Sequence, residues 1–175
     1  MIPDAVAGDT KGSSNQVLLS GRDPERDGRV FLLYEAPSGG TGGFFEEDGN
    51  NTLRTFHEGD FTAIQPIEAV ENKFPVLVER TELRQDSCGH GRRRGGLGMR
   101  RVIRLLAPEG AISFVSDKNV VPPFGVQSGF SGGPNRFGVI RDGREHTLSG
   151  VPGKVSGFPL EQDDRILEQS SGGGG

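Results

Sequence analysis

Glycine supplies 29 of the 175 residues of this chain, more than twice its usual share of roughly 7%. That abundance constrains the fold more than any motif does. Glycine has no side chain to bury and loses more backbone freedom on folding than any other residue. With only 32% of residues hydrophobic, the chain offers few bulky groups for a core. The sequence therefore points to a fold that leans on further polypeptide or a partner. The glycines are also clustered. Gly39, Gly40, Gly42 and Gly43 interrupt the stretch from Pro37 to Asn51, and Gly95, Gly96 and Gly98 follow an arginine run. Both clusters read as long loops whose glycines permit close backbone approach or a positive φ.

Between the loops the pattern is that of strands. Gln16–Ser20 and Val30–Ala36 flank a turn-rich segment and read as a hairpin. Val76–Arg84 starts apolar and turns polar, as a strand leaving a buried environment would. Met99–Leu106 and Ala111–Ser116 are further strands, with Pro108-Glu109-Gly110 as the turn between them. Asp142-Gly143 between Phe137–Ile140 and Glu145–Leu148 is the clearest hairpin signal. One helix is expected within Phe61–Phe74, with Ile67, Val70 and Phe74 as its apolar stripe and Pro75 as its stop. The expectation is a single, mainly β domain of antiparallel strands and hairpins with long glycine-rich loops and one short helix. Residues 1–15 read as a polar loop or frayed lead-in, 16–74 as strands, glycine loop and helix, and 75–175 as β-rich with an arginine-rich loop.

Charge narrows the function classes. The net charge is −4, which gives no general attraction to nucleic acid or membrane. Yet from Glu79 to Arg104 eight arginines accompany three acidic residues, a local charge of +5. No aromatic residue lies between Val76 and Ala107, unlike the interleaving that single-stranded nucleic acids favour. Arg80, Glu82, Arg84, Asp86, Arg92, Arg93 and Arg94 are candidates for interface pairing or for gripping a carboxylate or phosphate, which guanidinium forks match.

Catalytic motifs are sparse, and no residue is assigned a catalytic role. There is no Gly-Lys-Ser/Thr to cradle a nucleotide and no Gly-x-Ser-x-Gly elbow. His57, His90 and His146 are far apart and lack metal-site spacing. His57-Glu58-Gly59-Asp60 reads as a solvated turn and Asp163-Asp164 as a surface turn. His90 near Cys88 hints at an activated thiol, with a structural role favoured. No metal ligand is assigned. Cys88, the single cysteine, allows no internal disulfide, which fits a cytoplasmic setting. No run reaches the roughly 18 apolar residues of a membrane helix.

Several segments taken together carry a family resemblance. Phe74-Pro75-Val76-Leu77-Val78-Glu79-Arg80-Thr81-Glu82-Leu83-Arg84-Gln85-Asp86-Ser87 is similar to a "YPVRVERYELRPDSGG" segment. It runs into Gly89-His90-Gly91-Arg92-Arg93-Arg94-Gly95-Gly96-Leu97-Gly98, which resembles "GAGRYRGGLG". Gly39-Gly40-Thr41-Gly42-Gly43 sits where a "GGGxGA" loop is found, Pro122-Pro123-Phe124-Gly125-Val126 resembles "PPWGL", and Ser171 to Gly175 resembles the start of "TPGGGGYG". These belong to the hydantoinase B/5-oxoprolinase group, which includes N-methylhydantoinase and the acetone and acetophenone carboxylases.

The resemblance implies the C-terminal portion of a larger α+β subunit, or a small subunit from a split gene. It implies ATP-dependent hydrolysis of a cyclic amide, of the hydantoin, 5-oxoproline or lactam type. Carboxylation of a ketone and a non-catalytic assembly role are the alternatives. The implied partner is a hydantoinase A-type subunit that binds ATP and Mg and phosphorylates the substrate. No cofactor is expected on this chain, and any divalent metal would be held in the N-terminal half of a full-length subunit.

Overall fold

A computed structural model of the chain describes residues 6–12, 15–53, 64–146 and 148–175. Nine strands form two antiparallel sheets. The first sheet contains β1 (Gln16–Asp23), β2 (Arg29–Glu35), β5 (Glu109–Val115) and β8 (Lys154–Glu161), in the order β2-β1-β5-β8. The second contains β3 (Val76–Leu83), β4 (Met99–Leu105), β6 (Arg136–Arg141), β7 (Arg144–His146) and β9 (Arg165–Gln169), in the order β3-β4-β9-β6-β7.

The two sheets share one core. Val17, Leu19, Phe31, Leu33, Ile112, Phe114 and Leu160 of the first sheet meet Val76, Ile103, Leu105, Val139 and Ile166 of the second. Period-two alternation makes this possible: β2 alternates exposed and buried positions from Val30 to Glu35, and β4 alternates buried and half-buried ones along its whole length. Each such side chain, fully buried, contributes on the order of 1.5–3 kcal/mol.

Both expected hairpins form. β1 pairs with β2 around a 3-10 turn, Pro24–Arg26, whose preceding Asp23 accepts a hydrogen bond from the Glu25 N–H at 3.0 Å. β6 pairs with β7 across Asp142 and Gly143, with φ of 52° and 73°, the left-handed pair that a two-residue hairpin requires. β7 ends at His146, and residue 147 of the expected strand lies outside the described residues.

Other expectations need correction. The helix, α1 (Ile67–Lys73), forms within the expected span, whose residues 61–63 lie outside the described set. Pro66 precedes it with an extended ψ of 139°, and only Val70 of the expected stripe is sealed, with Ile67 36% exposed. The turn at Pro108-Glu109-Gly110 does not join two neighbouring strands. β5 already starts at Glu109, and the chain crosses there from the second sheet to the first. Asp163 is the exposed turn residue expected, but Asp164 beside it is 1% exposed and bound to Arg141. The lead-in is not frayed where described: Gly8, Asp9 and Lys11 donate backbone hydrogen bonds to Gly43, Phe124 and Gly40, and Lys11 is buried.

Candidate functional site

The glycine loops do not spread into solvent as loops. Residues 37–43, 95–96 and 170–174 are buried extended segments lying side by side. Segment 171–175 is hydrogen-bonded to four others. Gly40 donates to Ser171 (3.0 Å), Gly43 to Gly174 (2.8 Å), Gly174 to Asp9 (2.9 Å), Gly173 to Gly96 (2.9 Å) and Gly175 to Phe130 (3.0 Å). Bonds leaving one segment toward several neighbours describe a bundle, not a flat sheet. Every such bond satisfies a buried backbone group that would otherwise be costly.

Space, not backbone conformation, demands glycine here. A Cβ added to Gly40 would lie 1.9 Å from the Gly96 carbonyl oxygen, and one on Gly173 would lie 1.8 Å from that of Thr41. Neither residue has a positive φ. Gly42, Gly95 and Gly98 are similarly tight, at 1.8, 2.0 and 2.2 Å from backbone oxygens, Gly39 meets Lys11 Cβ at 2.4 Å, and Gly43 is looser, at 3.0 Å from the Arg94 carbonyl oxygen. The two loops singled out in the sequence are therefore brought together, with 172–174 as the third member. Polar side chains pin the bundle's flank. The Met99 N–H donates to Ser170 Oγ at 2.7 Å, the Gly98 N–H to Ser87 Oγ at 2.8 Å, and the Ser171 N–H to Asn135 Oδ1 at 2.6 Å.

The arginine candidates separate into three groups. Arg80 and Arg100 share Glu82 on the exposed half of β3 (3.4 and 3.1 Å). Arg84 donates to the carbonyls of Pro134 and Ser170, at 2.6 and 3.1 Å, and so ties β3's end to the bundle. Burial, then the nearby charges of Arg100 and Arg136, lowers its pKa from the usual arginine value. Asp86 is a turn residue with φ 57°. Arg92, Arg93 and Arg94 form the third group at one end of the bundle. Arg94 pairs with Asp48 at 3.8 Å, while Arg92 stacks 5.6 Å over the Phe45 ring. A cleft of about 110 Å³ opens there, lined by Gly43, Phe44, Phe45, Arg92, Arg93 and the 126–129 turn.

A second polar centre went unread in the sequence. Arg101 and Glu168 are both fully buried, and Glu35 is 5% exposed. The Arg101 guanidinium lies 3.5 Å from Glu35. Burial, reinforced by the Glu35 charge and opposed by Arg101, pushes the Glu168 carboxyl up to about 8. The available signal was the alternation of β4, which turns Met99, Arg101, Ile103 and Leu105 inward together.

The remaining candidates stay apart. His90 packs on Phe130, ring centroids 5.4 Å apart, and no hydrogen bond joins it to Cys88 among the described residues. His57-Glu58-Gly59-Asp60 lies outside the described residues. Among the described residues no group of three or more His, Cys, Asp or Glu side chains is placed to hold a metal ion. No helix among them is long and apolar enough to cross a membrane.

The chain is 35% identical over 173 residues to the uncharacterized protein MJ0963 of Methanocaldococcus jannaschii, covering 99% of this chain and 28% of that protein. It is 29% identical over 164 residues to a Pseudomonas sp. strain NS671 protein named for the B-type component of a D-/L-hydantoinase, covering 94% of this chain and 26% of the relative. In fold it resembles the ATP-dependent caprolactamase of Pseudomonas jessenii, with a TM-score of 0.77 at 21% identity over 98% of this chain and 30% of that one. The chain thus spans between a quarter and a third of the length of these three proteins. The Hydantoinase B/oxoprolinase family model matches residues 1–175, and the chain belongs to that family.

Proposed function

We propose that this chain forms the glycine-bundled β portion of the B-type subunit of an ATP-dependent enzyme that hydrolyses cyclic amides of the hydantoin, 5-oxoproline or lactam class. One observation carries the reading. The segments that resemble the family's signatures, 39–43, 89–98 and 171–175, are distant in sequence yet meet in one bundle with a cleft at its end. The hydantoinase relative and the caprolactamase fold favour hydrolysis of a cyclic amide.

The chemistry divides naturally between subunits. An unstrained cyclic amide is a poor electrophile, and phosphorylation of its carbonyl oxygen creates a better leaving group. On this reading an A-type partner holds ATP and Mg and delivers that phosphate. The present chain supplies a rigid wall, since a bundle made mostly of glycine backbone has few rotamers to rearrange. Any divalent metal is assigned to polypeptide beyond these residues.

The same reading accounts for an exposed apolar row. Val30, Leu32 and Tyr34 are 63%, 57% and 47% exposed on β2, at the edge of the first sheet. An edge strand with outward apolar side chains invites a partner. We assign this row to the rest of a full-length B-type subunit.

The test is co-expression of the chain with an A-type partner and the remaining B-type polypeptide. ADP release is then followed with hydantoin, 5-oxoproline and caprolactam, and separately with a ketone plus bicarbonate. Cyclic-amide-stimulated ATP hydrolysis that depends on this chain is expected. ADP release unchanged by omitting the chain overturns the proposal, and stimulation by ketone alone moves the assignment to carboxylation. Leu32→Lys is expected to abolish association while leaving the isolated chain folded.

A further inference from the structure

We infer that the cleft at the end of the glycine bundle is a binding site for a small oxyanion, a carboxylate or phosphate group, held by Arg92 and Arg93. Of the eight arginines from Arg80 to Arg104, six have an acidic or carbonyl partner. Arg80 and Arg100 pair with Glu82, Arg94 with Asp48, Arg101 with Glu35, and Arg104 with Glu79 and Asp163. Arg84 holds two backbone carbonyls. Among the described residues Arg92 and Arg93 alone in this group have neither a carboxylate nor a carbonyl partner, and both line the cleft.

The surroundings suit an anion. The backbone N–H groups of Arg92, Arg93, Gln127 and Ser128 have no acceptor among the described residues. They therefore add neutral donors to two permanent charges. Phe45 lies under the Arg92 guanidinium, which restricts that side chain and lowers the entropy lost when it binds. The nearest acidic side chains in sequence, Glu46 and Glu47, do not line the cleft. A volume of about 110 Å³ is ample for an oxyanion head group, since about 10–15 Å³ of such space already holds one water molecule.

The anion site stands on this geometry, whereas its place in a reaction rests on the proposed function. Opening a cyclic amide yields a carboxylate, and phosphorylating its carbonyl oxygen gives an imidate phosphate that releases inorganic phosphate when water attacks, so either head group has a source in that chemistry.

The experiment is isothermal titration of the 175-residue chain with inorganic phosphate and, separately, with sodium acetate, at constant ionic strength. The same titrations are run on the Arg92→Ala/Arg93→Ala double variant and on Arg80→Ala. One saturable site is expected for at least one anion, weakened about tenfold or more in the double variant, since arginine–oxyanion hydrogen bonds are among the stronger ones. Arg80→Ala should bind like the parent. Phosphate-only binding identifies a phosphoryl site, and acetate binding a carboxylate site. No saturable binding of either anion overturns the inference, as does equal binding by a double variant that melts like the parent. These titrations involve no partner and no turnover, so a failure of the proposed hydrolase activity leaves their outcome distinct.

Discussion

Arg101 and Glu168 are register partners on β4 and β9, and neither side chain reaches solvent. Glu35, at the end of β2, closes the group from the opposite sheet. Their positions relate this charge cluster to the glycine bundle. Glu35 immediately precedes segment 37–43, Arg101 follows segment 95–98, and Glu168 precedes segment 170–174. Segments without side chains carry little register information of their own. The cluster is placed to add to it, because its three residues flank all three segments where they enter the bundle.

Removing Arg101 alone should therefore be severe. Arg101→Met leaves two carboxyl groups confronting each other in the interior, and breaking a buried pair in this way costs about 3–5 kcal/mol. The Arg101→Met/Glu35→Leu double variant, which removes both partners of the ion pair, should recover most of that loss in urea unfolding. Its bundle amides, at Gly40, Gly96 and Gly173, should nevertheless exchange hydrogen faster than in the parent. Unchanged exchange in a fully recovered double variant would show that the cluster has no part in setting register.

The Glu168 carboxyl also sets a pH dependence. Its pKa rises from 4.5 in the unfolded chain to about 8 in the fold. The neutral form is thus the one the fold accepts. The stability it contributes is complete below 4.5 and is lost progressively as pH rises through about 8. Glu168→Gln, which stays neutral, should gain on the parent across that window, by on the order of a few kcal/mol at about pH 9. Parallel stability curves for the two proteins from about pH 5 to about pH 9 would remove Glu168 as the titrating group.

Local rules made the frame legible and left its interior hidden. Asp142-Gly143 announced its hairpin because two adjacent left-handed residues are a strictly local requirement. Short β-favouring runs announced β1, β2 and β4 for the same reason. Arg101 was missed because it sits in a run of charged residues that reads as surface, although the alternation of β4 turns it inward. The lead-in at Gly8 to Lys11 read as frayed because its hydrogen-bond partners, Gly43, Phe124 and Gly40, are remote in sequence. The glycine loops were recognised as special, but sequence left open whether φ or space was the reason. Only tertiary structure decides that, because the atoms that exclude a Cβ come from other segments.

Asp164 gives the acid-side counterpart. Burial opposes its charge, but the Arg141 guanidinium, bonded at 2.9 and 2.6 Å, and the Glu161 N–H at 2.9 Å hold its carboxyl below the usual value of 3.8. This contribution is present above 3.8 and is lost as pH falls through the lower folded value. Asp164→Ala should cost about 2–4 kcal/mol in urea unfolding at about pH 7, given two charge-assisted bonds. The deficit relative to the parent should shrink once the pH is well below 3.8. A deficit independent of pH would mean that packing, not charge, is what Asp164 provides.

The glycines themselves separate space from conformation. Gly173→Ala places a methyl group 1.8 Å from the Thr41 carbonyl oxygen, and no flexible side chain is present to yield. Destabilisation beyond about 4 kcal/mol, in the range of severe core disruptions, is expected. Gly143→Ala meets nothing within 4 Å but sits at φ +73°, so its cost should be only about 1–2 kcal/mol, that of a left-handed L-residue. Gly150→Ala has neither obstacle and should be neutral, or stabilising by about 0.4–1 kcal/mol through the unfolded chain. Urea midpoints of the three variants should rank in that order. A Gly173→Ala protein that unfolds with the parent would refute the bundle as the reason this chain is so rich in glycine.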